Sequence, residues 1–162
     1  MHLLELRLTA NAAPHPIVNA SVSGETTAGG LARLPKLLAE TKPSLVLVEL
    51  GANDGLRGLP LEEIRANLRR ILAAIRDSGA RSVLLGIELP INYGPQYRDG
   101  LRKMYRDLAT EFNAPLVPFL LDGVALNADL MQDDGLHPKA EGEPRVLDNI
   151  WPIVEPAIKG LH

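Results

Sequence analysis

The chain has 162 residues, 46% hydrophobic and 23% charged, with a formal net charge of −3. That is the length of one domain and the composition of an ordinary globular protein, and no basic run is present to meet a nucleic-acid backbone. There is no cysteine, which excludes disulfides and thiolate metal sites and suits either cytosol or periplasm.

The opening Met1-His2-Leu3-Leu4-Glu5-Leu6-Arg7-Leu8 does not read as a signal peptide, because it lacks a basic start and Glu5 and Arg7 interrupt the apolar run. No apolar run is long enough to span a membrane, and no internal repeat or low-complexity stretch divides the chain. A single domain over 1–162 is expected.

Residues 3–13 admit two readings. Leu4, Leu6 and Leu8 alternate with Glu5, Arg7 and Thr9 as in a strand, while Leu4, Leu8 and the alanine-rich tail also suit a short helix. Pro14 and Pro16 end either one. Residues 17–22 predict a short strand closed by a Ser23-Gly24 turn. Thr26 or Thr27 can cap a helix running to Glu40, with Leu31, Leu34, Leu37 and Leu38 on one face. Residues 44–50, entered through Pro43, are apolar on both faces, as in a central parallel strand covered by helices.

Pro60 suits the first position of a helix whose buried stripe is Ile64, Leu68, Ile71, Leu72 and Ile75, ended by Gly79. Residues 82–87 form the next strand, and 89–95 a loop at its carboxyl end. A helix over about 96–112 carries Tyr97, Leu101, Met104, Tyr105, Leu108 and Phe112 on one face, which reads as core rather than a cofactor box. Residues 116–120 predict a short edge strand, since Pro118 cannot donate to a ladder. The segment 121–143 is mostly loop. Pro144 starts a last helix with Leu147, Ile150, Trp151 and Val154 inward and a kink at Pro152. Strands alternating with helices give an α/β class with a parallel sheet covered on both faces.

Three polar stretches could carry chemistry. Gly51-Ala52-Asn53-Asp54 ends the central strand, where open α/β sheets bind ligands. The Asn53 amide can donate to a substrate oxygen there, or Asn53 and Asp54 can simply build the turn and cap the next helix. In Asp133-Asp134-Gly135-Leu136-His137-Pro138, a turn through Gly135 can return the Asp134 carboxylate to the His137 ring. A carboxylate on one imidazole nitrogen fixes the tautomer and raises the basicity of the other. Pro138 keeps the His137 backbone extended. A loop histidine merely bonded to a neighbouring aspartate fits as well, and Asp133 reads as a solvated charge.

The third stretch, Ser23-Gly24-Glu25-Thr26-Thr27-Ala28-Gly29-Gly30, joins a strand to a helix, so its backbone N–H groups can face an anion. Gly24 and Gly29 have phosphate-loop spacing, but Gly30-Leu31 stands where Lys and Ser/Thr are required, and Glu25 would repel phosphate. Nucleotide binding is therefore not expected. His2, His15, His137 and His162 are scattered without ligand spacing, so neither metal nor cofactor is expected.

Together, the stretch from Asn19 to Pro35, then Gly51-Ala52-Asn53-Asp54, then Asp134-Gly135-Leu136-His137-Pro138, resemble the signature blocks of the SGNH (GDSL) hydrolases. The match is to the bacterial branch of multifunctional thioesterases, lysophospholipases and arylesterases, and it covers nearly the whole chain with the blocks in order. The resemblance implies a three-layer αβα sandwich with a short parallel sheet, and residues 3–13 as the tail of its first helix. It makes the Gly24 N–H and the Asn53 side chain oxyanion-hole donors, His137 the general base and Asp134 its orienter. It also likens Gly55, Leu56, Arg57, Gly58, Leu59 and Pro60 to a loop that shifts on substrate binding. The implied substrate is a small acyl ester or thioester.

One block has no counterpart. The family's nucleophile lies in a Gly-Asp-Ser motif after the first strand, and this sequence contains no such tripeptide. Ser21 and Ser23 are the serines nearest the expected site, and Ser23 would have to displace Gly24 to act. The expectation is an N-terminally shortened hydrolase with its first strand missing and nearly inactive as it stands. The alternative is a non-catalytic remnant or acyl-binding module. The strands at 17–22 and 44–50 would lose their shared neighbour, leaving an exposed edge open to self-association. The compartment stays open: periplasmic or secreted if the full-length protein carries a signal peptide, cytoplasmic otherwise.

Overall fold

The computed structural model describes residues 2–10 and 16–161. Three strands, β1 (Leu45–Val48), β2 (Arg81–Leu85) and β3 (Leu116–Val117), form a parallel sheet in that order. Leu45 is in register with Arg81, and Leu84 with Leu116. Around them run α1 (His2–Ala10), α2 (Thr27–Thr41), the short α3 (Ala52–Leu56), α4 (Leu61–Asp77), α5 (Pro95–Phe112) and α6 (Glu143–Lys159).

Strand side chains alternate between two faces, and here helices pack on both. Val46, Val48, Leu84 and Leu116 join Leu34 of α2, Ile64 and Leu68 of α4, and Met104 and Leu108 of α5 in one core layer. Leu45, Leu47, Val83, Leu85 and Val117 face the other way, onto Leu4 and Leu8 of α1 and Leu147, Ile150 and Val154 of α6. The result is the expected α/β sandwich, with helices covering a three-stranded parallel sheet on both sides. The face of α5 that holds Leu101, Met104, Tyr105 and Leu108 is core, as the sequence implied.

Three sequence expectations change in detail. Residues 2–10 are helical, so the alternation of Leu4, Leu6 and Leu8 is not a strand; residues 11–13 lie outside the described ones. Leu4 and Leu8, four apart, form the buried stripe while Leu6 is exposed. Residues 17–22 form no strand. A strand needs a ladder partner, and among the described residues none lies beside this segment; only Ile17 leans on the core. The strand expected over 116–120 is regular only at Leu116–Val117. The ladder still continues past Pro118, which has no N–H to give: Gly86 N–H donates to Val117 O at 2.8 Å and Leu120 N–H to Gly86 O at 2.9 Å.

β1 pairs only with β2 among the described residues. Arg81 N–H donates to Ser44 O, so alternation turns the backbone groups of Leu45, Leu47 and Glu49 toward the opposite, open edge.

Leu84, on the middle strand, is 0% exposed and reports on the integrity of this core. Leu84→Ala is expected to lower unfolding free energy by about 2–5 kcal/mol in urea denaturation. A loss under about 1 kcal/mol would mean that the layers are not packed on each other as described.

Candidate active site

Two backbone turns meet at the carboxyl end of β1. The strand leaves through Leu50 and Gly51 into α3, and Gly51 takes φ +113°, open to glycine but costly for other residues. A Cβ at Gly51 would also stand 2.5 Å from the Tyr105 hydroxyl oxygen. That hydroxyl donates to Leu50 O at 2.6 Å, and burial pushes the phenol's pKa upward, keeping it a donor. The second turn holds Gly24 at φ +74°, with Glu25 N–H donating to Val22 O at 3.2 Å. α2 follows, capped by the Thr26 hydroxyl, which accepts from Gly29 N–H at 3.2 Å.

The two turns are bonded to each other. Asn53 Nδ2 donates to Glu25 O at 2.8 Å. A side-chain amide has two N–H bonds, so one remains for another acceptor. The Gly24 N–H has no acceptor among the described residues, and Gly24 is exposed. Two unspent N–H donors thus stand one residue apart, joined through Glu25. Glu25 is itself held by Arg33, whose Nε lies 2.7 Å from its carboxylate.

Asp54 does not cap its own helix. Its carboxylate accepts Thr27 N–H at 2.9 Å and the Thr27 hydroxyl, across the interface to α2. The sequence offered no sign of this partner 27 residues away. Residues 55–60 are pinned as well: Tyr93 OH donates to Leu56 O at 2.7 Å and Tyr97 OH to Leu59 O at 2.5 Å. Arg57 Nη2 reaches Gly24 O at 3.5 Å. The loop after β2 is braced in turn by Glu88, paired with Arg102 and Arg98 of α5. These pairs hold the Glu88 carboxyl below its ordinary range, the Arg102 hydrogen bond contributing most. Of these contacts, only the turn residues themselves carried a sequence signal.

The third component is a small hairpin over 130–139. Lys139 N–H donates to Leu130 O at 2.7 Å and Gln132 N–H to His137 O at 2.8 Å, with Gly135 at φ +64° in the tip. Asp134 Oδ1 accepts from Leu136 N–H at 2.9 Å and His137 N–H at 3.0 Å, which folds the tip around the carboxylate. Its Oδ2 lies 2.7 Å from His137 Nδ1. A carboxylate only accepts, so Nδ1 carries the hydrogen and Nε2 of the neutral ring keeps its lone pair. The His137 and Asp134 side chains are 65% and 43% exposed, and Asp133 is exposed beside them.

His137 also acts on Glu49, the residue after β1. Solvent reaches Glu49, yet protein crowds it on several sides; this desolvation raises its pKa, and His137, when protonated, pulls it part of the way back. Among the described residues, no group of three or more His, Cys, Asp or Glu is placed to hold a metal ion.

The His137 ring and two backbone N–H groups hold the Asp134 pKa down to about 2, from an ordinary 3.8. A depressed carboxyl pKa means that these bonds are intact above the ordinary value and are lost as pH falls through the lower one. The Asp134 carboxyl carbon is expected to titrate with a midpoint near 2 by NMR. A midpoint near 3.8 would show that the hairpin tip does not grip the carboxylate in solution.

Residues 2–144 match the GDSL-like lipase/acylhydrolase family. The chain is 47% identical over 156 residues to esterase TesA of Pseudomonas aeruginosa, covering 96% of this chain and 78% of that one. It is 44% identical over 142 residues to thioesterase 1/protease 1/lysophospholipase L1 of Escherichia coli K12, covering 88% and 68%. A crystal structure of TesA superposes with a TM-score of 0.93 at 48% identity, covering 96% of this chain and 86% of that one. A sheet and helices shared at this level, with nearly half the residues identical, place the chain in the SGNH (GDSL) hydrolases, in the branch of the esterase, arylesterase and thioesterase relatives.

Proposed function

We propose that this chain carries the base and oxyanion-binding parts of an acyl ester or thioester hydrolase, with the nucleophilic serine not among its 162 residues. The observation that supports it most is the Asp134–His137 bond, which leaves Nε2 free to take a proton. In such a reaction, a hydroxyl attacks the acyl carbonyl as its proton passes to Nε2. The bond to the leaving oxygen or sulfur breaks as Nε2 returns that proton, and water repeats the sequence on the acyl-enzyme. The Gly24 N–H and the free Asn53 N–H are the donors to the oxygen as it becomes charged. Residues 55–60 border them and are read as the substrate loop.

Five serines are present. Ser44 and Ser82 sit at the amino ends of β1 and β2, and Ser78 follows α4, ahead of β2, so all three lie at the opposite end of the strands from Gly51 and Asn53. Ser21 and Ser23 lie near the site and are exposed, but among the described residues no serine hydroxyl is bonded to His137. This favours an inactive chain, and keeps an acyl-binding module as the second reading. The open edge of β1 further supports pairing with another strand, from this chain's own copies or from an added segment.

Ester hydrolysis is the test, with nitrophenyl esters, on this chain and on one extended at its start by an apolar strand ending in Gly-Asp-Ser. The extended chain is expected to turn over esters, and the present one to fall short by about 10⁶ in kcat. Asn53→Ala in the active form should then lower kcat by roughly 10²–10³ with little change in KM. Family-like rates from the present chain would return Ser23 to consideration, and an unchanged kcat would remove Asn53 from the mechanism. In sedimentation, the present chain should self-associate more than the extended one.

A further inference from the structure

Asp54 is 1% exposed and Thr27 0%. A carboxylate taken out of water is costly unless its oxygens are satisfied. Here Oδ2 accepts Thr27 N–H at 2.9 Å, and Oδ1 accepts the Thr27 hydroxyl. The same hydroxyl oxygen accepts from Asn67 Nδ2 of α4 at 3.1 Å, so the group is closed from three helices. Helix capping alone does not account for it, because Thr26 already caps α2.

What sets this cluster apart is its neighbours. Asn53, one of the two candidate oxyanion donors, is the residue before Asp54; Gly24, the other, is three residues before Thr27. The donors ride on separate segments, and α3 has only five residues, too few to hold its own orientation. Between the two turns themselves run, among the described residues, only the Asn53 bond to Glu25 O and the long Arg57 contact to Gly24 O at 3.5 Å, through a flexible side chain. The Asn53 bond spends half of the amide whose direction matters.

We propose that Asp54 is a positioning residue: gripping Thr27, it sets the distance and angle between the Gly24 N–H and the Asn53 amide. The proposal rests on the oxyanion role given to those two donors above. It predicts that loosening the grip impairs recognition of a carboxylate or oxyanion at both donors.

Octanoate is a suitable probe, since its carboxylate offers one oxygen to both donors without any nucleophile. The ¹⁵N-labelled 162-residue chain is titrated with octanoate, and with octanol as a control lacking the anion. Both the Gly24 amide and the Asn53 side-chain amide are expected to shift along one binding curve. Thr27→Ser, which keeps the hydroxyl, should stay within about twofold of that affinity. Thr27→Val and Asp54→Asn should weaken octanoate by about tenfold, with octanol unaffected, well below each variant's melting temperature. A merely structural role would lower the melting temperature and leave these constants in the folded state alone. Should Thr27→Val fail to fold, Asp54→Asn decides. Unchanged octanoate binding in folded Asp54→Asn overturns the positioning role while the oxyanion role stands. If octanoate moves neither donor in the unmodified chain, the oxyanion role itself falls, and the positioning role with it.

Discussion

A nearly fully buried carboxylate organises the carboxyl end of this sheet. Desolvating an ion costs several kcal/mol in real proteins, and the cost is offset only when the geometry of its partners is good. Asp54 finds a backbone N–H, a hydroxyl and the positive end of α2 in one place. Those partners come from a segment 27 residues earlier in the chain, so the charge can be buried only if β1 and α2 are already docked. The turn after β1 and the turn before α2 are thereby committed to one relative position, and the amides of Gly24 and Asn53 inherit it.

The same stretch is gripped from its other side. The chain has three tyrosines, and each donates its hydroxyl to a main-chain carbonyl between residues 50 and 59. Tyr105 holds Leu50, Tyr93 holds Leu56 and Tyr97 holds Leu59. Irregular backbone near a core carries carbonyls that must be satisfied, and phenols on α5 and the loop before it do so without any ladder. The base side is built differently. Asp134 and His137 sit on a hairpin tip whose bonds are local, at a separation of three residues, and remain largely solvated. The amides of Gly24 and Asn53 are thus fixed by long-range burial, and the His137 ring by a local turn. A single disturbance of the core would displace those amides before it displaced the His137 ring.

This division also marks what could be seen in the sequence. The Asp134-Gly135-Leu136-His137 turn was legible because every bond in it is local and Gly135 announces the positive φ. The buried stripe of α4 and the helix packing on both faces of β1 were legible from periodicity. The partner of Asp54 was not, since the local reading of an aspartate after a strand is a cap on the next helix. Nor was the state of residues 17–22, where Ile17 and Val18 have strand character that only a neighbouring strand could realise. Leu4, Leu6 and Leu8 misled for the converse reason: three leucines at alternate positions suit either period, and docking on α6 chose the helix.

The open edge of β1 bears on the proposed reaction through the direction of the strands. Strands in this sheet run parallel, so their carboxyl ends lie together at the end where the turns of Gly24 and Asn53 meet. A strand added in parallel along Leu45, Leu47 and Glu49 would therefore finish beside Gly51. Under the proposed function, its last residues would come beside the paired amides of Gly24 and Asn53. A hydroxyl delivered there needs no rearrangement of the base or of the donors, because each is held by contacts independent of that edge. Under the proposed function, the edge decides whether the assembled groups can do acyl chemistry. The unpaired backbone groups that make the edge prone to association are the same groups that would fix the register of an incoming nucleophile.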